Sequence, residues 1–287
     1  MHRRVNSLRL CLRVLCALVA AGILLLLYAA GVESHWVQQT HHTLECPQWH
    51  GRPVRLAVLA DLHARPGDGP YLDRIVRQTL ALNPDAVLLL GDYMASHPGS
   101  AIGSSMGAGD IARHLAPLTA VPCFAVLGNH DHSHGAAQVQ AALQGVGIRM
   151  VEGRRERLDI GGHPLDIGGI RCLFTFRTPG TIPRPEKGVP MVLLSHTPHG
   201  TTFAPRGTVV TLSGHMHGGQ VCLPFFGPVF SIDKHVPLQR AAGFHTLPGN
   251  RPEYVSRGLG TSVLPIRFCC RPELLLLEIK PAPGKQL

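Results

Sequence analysis

Five apolar runs in this chain each stop at a residue able to bind a metal ion, and this recurrence constrains the fold more than any other feature. VRLAVLA (54–60) runs into Asp61-Leu62-His63, DAVLLL (85–90) into Gly91-Asp92, and CFAVL (123–127) into Gly128-Asn129-His130-Asp131. MVLLS (191–195) ends at His196, and TVVTLS (208–213) delivers Gly214-His215-Met216-His217. Short continuous apolar runs bounded by turn residues read as buried strands. A lone Asp or His after one strand is ordinarily a turn former or a surface residue. Five in order imply strand ends that converge, because ligands of open α/β sheets bind beyond the carboxyl ends of the strands.

Between the first runs, PYLDRIVRQTLAL (70–82) has helical periodicity and opens on Pro70, which suits a first helical turn. Shorter helices are expected near 110–117 and over AAQVQAALQ (136–144). This alternation predicts a layered α/β (α+β) domain of packed sheets with flanking helices. After residue 147 glycine and proline become frequent, and short strands are expected near 165–174, 191–195, 208–213, 254–257 and 274–279. The stretch 93–109, rich in Gly, Ser and Met, reads as a loop that offers no obvious substrate contact.

Spacing gives the strand ends a chemistry. Side chains at i and i+2 of an extended segment share a face, so Asp61 with His63, and His215 with His217, are expected to aim paired ligands into one cavity. With Asp92, Asn129 and His196 the candidates number seven, too many for one tetrahedral ion. They suit two ions about 3.5 to 4 Å apart bridged by a carboxylate. A set of carboxylate, imidazole and amide oxygen without thiolate favours Mn, Fe or Zn over a cysteine-rich structural zinc.

The series D-x-H, G-D, G-N-H-D, a lone His and G-H-x-H resembles the calcineurin-like metallophosphoesterases across about residues 54–220. GHMHGGQ, followed later by SRGLGTSVLPIRFCCRPELLLLEI (256–279), is similar to the membrane-associated bacterial branch, some of whose members cleave UDP-diacylglucosamine or related phosphodiesters. The resemblance implies two facing β-sheets flanked by helices. It also implies two divalent ions, with Mn preferred and Fe or Zn as alternatives. Asp61, His63 and His217 would hold one ion, Asn129, His196 and His215 the other, and Asp92 would bridge them; His130 would face the substrate and Asp131 orient it.

Two dications against the charges of Asp61 and Asp92 leave the site cationic, hence attractive to a phosphate ester. Bound water acidified toward roughly 7 would provide hydroxide for attack on phosphorus. His130 would protonate the leaving oxygen or stabilise the transition state, and the sequence leaves both roles open. The expected activity is hydrolysis of a phosphomonoester or phosphodiester, lipid-linked in the preferred reading. A phosphatase or phosphodiesterase of soluble nucleotides or phosphoproteins, merely tethered, is the enzymatic alternative. A non-catalytic metal-binding scaffold is disfavoured because every motif residue is retained.

Ahead of this domain, residues 14–32 (VLCALVAAGILLLLYAAGV) carry no charge. As a helix they would extend roughly 28 Å, close to a hydrocarbon core of about 30 Å. Arg3, Arg4, Arg9 and Arg13 precede them, so the positive-inside rule predicts one pass through a bacterial inner membrane with the catalytic domain in the periplasm. A cleaved signal peptide fits the same layout, although no clear A-x-A site follows; Arg3-Arg4 fits a twin-arginine signal only weakly. The expected order is a basic segment (1–13), a transmembrane helix or signal anchor (14–32), a polar tether (33–53) with His35, His41, His42 and His50, and a metallophosphoesterase domain (54–287).

Of 27 basic residues, 23 lie beyond this anchor against 18 acidic ones, a surplus of five. Arg154, Arg155 and Arg157 are interrupted by Glu152, Glu156 and Asp159, so no nucleic-acid binding is expected. The eight cysteines show no C-x-x-C spacing and read mainly as small buried residues, with no disulfide assigned. VCLPFFGPVF (221–230) reads first as core packing; an exposed Phe225, Phe226 and Phe230 would instead form a greasy lip for a lipid-linked substrate.

Overall fold

In the computed structural model, which describes residues 2–95 and 104–283, the strand-forming runs fall into two six-stranded sheets. Numbered in chain order, the first sheet takes β1 (Gln38–Cys46), β2 (Val54–Leu59), β3 (Ala86–Leu89), β4 (Cys123–Ala125), β5 (Arg149–Met150) and the last strand, β14 (Glu273–Pro281). Their order is β1-β14-β2-β3-β4-β5. The second sheet takes β6 (Arg155–Ile160), β7 (His163–Gly169), β8 (Met191–Leu194), β9 (Thr208–Ser213), β12 (Gly243–Leu247) and β13 (Arg251–Val255), ordered β12-β13-β9-β8-β7-β6. Between them in sequence, β10 (Cys222–Leu223) and β11 (Gly227–Pro228) form a small ribbon. The α-helices are α1 (His2–Leu27), α2 (Gly69–Ala81), α3 (Ala108–Leu115) and α4 (Asn129–Gly145).

Alternation along the first sheet feeds two cores. Val54, Leu56 and Val58 of β2, with Leu88 and Phe124, pack between the sheets against Ile167, Val192, Leu194, Val210 and Leu212. Ala57, Leu59, Val87 and Leu89 point the other way, onto Leu72 and Ile75 of α2, Ile111 and Leu115 of α3, and Val139 and Leu143 of α4. Burial on both faces is why β2 and β3 read as unbroken apolar runs. Strands β2 to β5 run parallel, as do β7, β8, β9 and β13, so the functional strand ends gather at one edge of each sheet.

The tether expected over residues 33–53 is instead largely part of the fold. Gln38–Cys46 pairs in parallel with β14 at the sheet edge, and Trp49 is fully buried, its indole N–H donating to the Arg52 carbonyl at 2.8 Å. The strand has little signature in the sequence because its apolar signal is confined to Leu44 and Cys46, while its polar residues stay exposed or half-buried. The helix expected from 136 begins at Asn129, with a kink at Gly135, where φ is 106°. The short, charged β6 and the strands β5 and β12 also lacked a readable apolar pattern. Of the 93–109 loop, residues 96–103 lie outside the described residues.

The apolar segment continues from α1 through a π-turn (Tyr28–Val32) and a 3-10 turn (Glu33–His35). Arg9–His35 is long and apolar enough to cross a membrane, with mean hydropathy 2.7 and its most apolar window unburied. All eight cysteines are free.

Candidate metal centre

Asp61, His63, Asp92, Asn129, His196, His215 and His217 come together at the facing strand ends, as do His130 and Asp131, and all nine are buried. The reason differs from the extended i, i+2 geometry expected of the sequence. Asp61, His63, Asp92, His215 and His217 have φ between 43° and 70°, in the left-handed region. Each chain therefore turns sharply on leaving its strand. A left-handed backbone at a non-glycine residue costs of order 1 to 3 kcal/mol and persists only where the surroundings impose it. Here the Asp61 N–H donates to the Gly91 carbonyl (3.0 Å), the His63 N–H to the Asp92 carbonyl (3.0 Å), and the His215 N–H to both Asp61 carboxylate oxygens (3.0 Å each).

The ligand atoms form three overlapping groups, Asp61–His63–His217, His63–Asp92–His130 and Asp92–His196–His215, each with its atoms within 4.8 Å of one another. His63 Nδ1 lies 3.1 Å from the Met94 carbonyl oxygen, and His196 Nδ1 lies 2.9 Å from that of Leu90. A carbonyl accepts only from N–H, so these contacts place the proton on Nδ1 and leave Nε2 with a lone pair. Nε2 of His63 faces Nε2 of His217 at 3.0 Å; Nε2 of His196 faces Asn129 Oδ1 at 3.0 Å and Asp92 Oδ2 at 3.4 Å. Nε2 of His215 is buried with no hydrogen-bond partner among the described residues. Such converging lone pairs suit divalent cations, and the absence of thiolate fits first-row ions of intermediate hardness.

Electrostatics favour the ligand forms of His63, His215, His217 and Asp92, whereas Asp61 and His196 are drawn toward their protonated forms. Burial pushes His63 and His215 down to about 3 and His217 well below the usual imidazole range, leaving neutral rings. Burial alone would raise Asp92, but His196 and His63 beside it hold its carboxyl well below the usual range. Burial likewise opposes charge on His196, and Asp92 outweighs it. Asp61 is pushed up to about 7, chiefly by burial, with His196 opposing.

Asp131, expected to orient His130, directs both carboxylate oxygens to backbone. It accepts from the N–H groups of Asp92 and Gly128 (2.8 Å each), Tyr93 (2.9 Å) and Met94 (3.1 Å). It is thus a positioning residue that pins the Asp92 turn to the start of α4. His130 donates its backbone N–H to Asp92 Oδ1 at 2.9 Å, and its ring lies edge-on to His63. A Cβ on Gly128 would strike the Asp92 carboxylate and lie 2.6 Å from its amide nitrogen. Gly128→Ala is therefore expected to cost about 1 to 3 kcal/mol, with bound metal falling along with stability; differential scanning fluorimetry and metal analysis on one sample check both.

Three further residues shape the site. Arg267 is fully buried beneath the His217 turn. Asp233 is buried with its carboxylate 3.9 Å from His215 Nε2. Phe174 lies against the His215 ring at 4.8 Å. An arginine inside the apolar stretch PIRFCC was a readable signal for the first. Asp233 and Phe174 lie in irregular segments where sequence pattern says little.

The profile of the calcineurin-like phosphoesterases matches residues 54–233, more than half of the chain. Metallophosphoesterase YkuE of Bacillus subtilis is 27% identical over 270 residues, covering 88% of this chain and 89% of its own. Phosphodiesterase YaeI of Escherichia coli is 27% identical, covering 86% and 90%. UDP-2,3-diacylglucosamine pyrophosphatase LpxG of Chlamydia trachomatis is 25% identical, covering 92% and 95%. Members of the family bind pairs of divalent metals. With this profile laid over two facing sheets and a cluster of histidines and aspartates at their common edge, the chain belongs to the calcineurin-like phosphoesterase family of metal-dependent hydrolases.

Proposed function

We propose that the protein hydrolyses a phosphomonoester or phosphodiester carried on a lipid, using two divalent metal ions at the strand-end cluster. The observation that carries the reading is the three overlapping ligand groups, which share His63 and Asp92. Asp61, His63 and His217 would hold one ion and Asn129, His196 and His215 the other, with Asp92 shared between them. Manganese is the ion proposed, iron or zinc being compatible with the same donors. When bound, such a pair supplies an acidified water as nucleophile and positive charge for the phosphoryl oxygens. His130, whose ring lies edge-on to His63, would give a proton to the leaving oxygen. Asp131 keeps the Asp92 turn in register, and Phe174 forms an apolar wall beside His215.

The lipid-linked assignment draws support from the apolar helix and from LpxG, whose name carries a diacylated substrate. The charge asymmetry around the helix favours a bacterial inner-membrane location with the catalytic domain in the periplasm. That side puts cytoplasmic UDP-linked substrates out of reach, so the proposed ester is a periplasmic one.

Purified full-length protein should be assayed in detergent with Mn2+ against p-nitrophenyl phosphate, bis(p-nitrophenyl) phosphate and a lipid-linked phosphoester. Turnover is expected, its loss on chelation, and its recovery on adding Mn2+ back. Metal-loaded protein that turned over none of the three with Mn2+, Fe2+ or Zn2+ would overturn the reading.

A further inference from the structure

The phenylalanines of the VCLPFFGPVF segment are not core residues. Phe225 is fully exposed and Phe226 is 85% exposed at the tip of the β10–β11 ribbon, with Leu223, Val229 and Phe230 about half exposed. A second apolar tip, Val263 and Leu264, is also open to solvent. Phe225 and Val263 both have left-handed backbones (φ 68° and 59°), which for a β-branched residue is a genuine outlier. Soluble surfaces rarely gather large apolar side chains in this way without a partner.

Bonding shows where these tips lie. Cys222 N–H donates to the Phe268 carbonyl (2.8 Å), and the Gln220 side-chain amide donates to the carbonyls of Ser262 (3.1 Å) and Leu264 (2.9 Å), so the two tips form one unit. That unit is fastened to the end of the apolar helical stretch. Arg267 N–H donates to the Ala29 carbonyl at 3.0 Å, and Cys270 N–H to the Glu33 carboxylate at 2.7 Å. Nearby, the Arg271 guanidinium lies 3.7 Å over the half-exposed ring of Trp36, a pairing suited to the headgroup layer. If α1 spans the bilayer, the face bearing both tips meets the lipid headgroups.

We propose that the β10–β11 tip and the 263–264 tip enter the membrane interface as a second lipid contact, independent of the helix that anchors the chain. The His217 turn runs directly through Gln220 into β10, so the depth of the tips fixes the height of the metal-site mouth above the lipid. The occupant is the bilayer itself. With α1 in the bilayer, a partner protein would have to displace headgroups to reach this face.

The full-length chain carrying Phe225→Trp, in vesicles of phosphatidylethanolamine and phosphatidylglycerol, tests this against the parent with its two tryptophans. The added fluorescence is expected to be blue-shifted and quenched by lipids with brominated acyl chains. Emission typical of water, quenched by acrylamide and untouched by brominated lipid, would overturn the proposal, whether the tips are bare or await a protein partner. The double variant Phe225→Asp/Phe226→Asp gives a second reading. Its turnover of bis(p-nitrophenyl) phosphate in detergent should stay within about twofold, while KM for a vesicle-borne phosphoester rises about tenfold. An unchanged KM on vesicles would sink the positioning role. Quenching is read without turnover, so an inserted tip on a chain that hydrolyses neither ester would overturn the phosphoesterase reading alone.

Discussion

Asp92→Asn is expected to lower turnover at least about 100-fold and to strip metal from the purified protein while leaving its fold intact. Asparagine keeps the size of the side chain, and its amide oxygen can still accept the His130 N–H that now meets Asp92 Oδ1. What disappears is the negative charge that lies 3.4 Å from His196 Nε2 and 3.5 Å from His63 Nε2, shared by two of the three ligand groups. Neither neighbouring aspartate replaces it, because Asp131 is committed to four backbone N–H groups and Asp61 to His215. Metal analysis and turnover with added Mn2+ should fall together. Wild-type values for both would show that Asp92 does not bridge.

Arg267→Met should cost about 4 kcal/mol and lower the melting temperature by about 10 °C. The guanidinium donates to the carbonyls of Gly260 (2.6 Å), Arg257 (2.7 Å), Cys270 (3.1 Å), Gly258 (3.2 Å) and His217 (3.3 Å), and no carboxylate pairs with it among the described residues. Burial lowers its pKa, a cost sustained by those five acceptors. Methionine fills the volume but leaves buried carbonyls unpaired. Arg267→Lys should recover only part of the loss, since one ammonium cannot reproduce a planar fork. The His217 turn should loosen as well, so metal affinity should fall beyond what the stability change explains. A melting temperature within about 2 °C of wild type would show that the carbonyls find other partners.

The gathering of the seven candidate side chains was legible because a strand end exposes its next residue to the sheet edge, and five such ends recurred in order. The stated geometry was not legible. Asp61 and His63 converge with His217 through left-handed turns held by Gly91, Asp92 and Gly260, residues near in space but scattered along the chain. The backbone contacts of Asp131 were not legible either, since a carboxylate next to a histidine says nothing about the four amides that fold around it. Likewise β1 was hidden by its polar exposed residues, and its apolar partners come from β14, over 200 residues away.

Local chemistry thus marked the apolar strands and the candidate donors: apolar period, turn residues and the order of Asp, Asn and His are written residue by residue. Tertiary structure alone decided which atoms face each other, which arginine is buried, and which phenylalanines reach solvent. Phe225 and Phe226 have the composition of a core, yet the tight ribbon that carries them is anchored at its base to Phe268, and its tip stays exposed among the described residues. Burial depends on what the rest of the chain brings alongside, and a one-dimensional pattern carries no record of that.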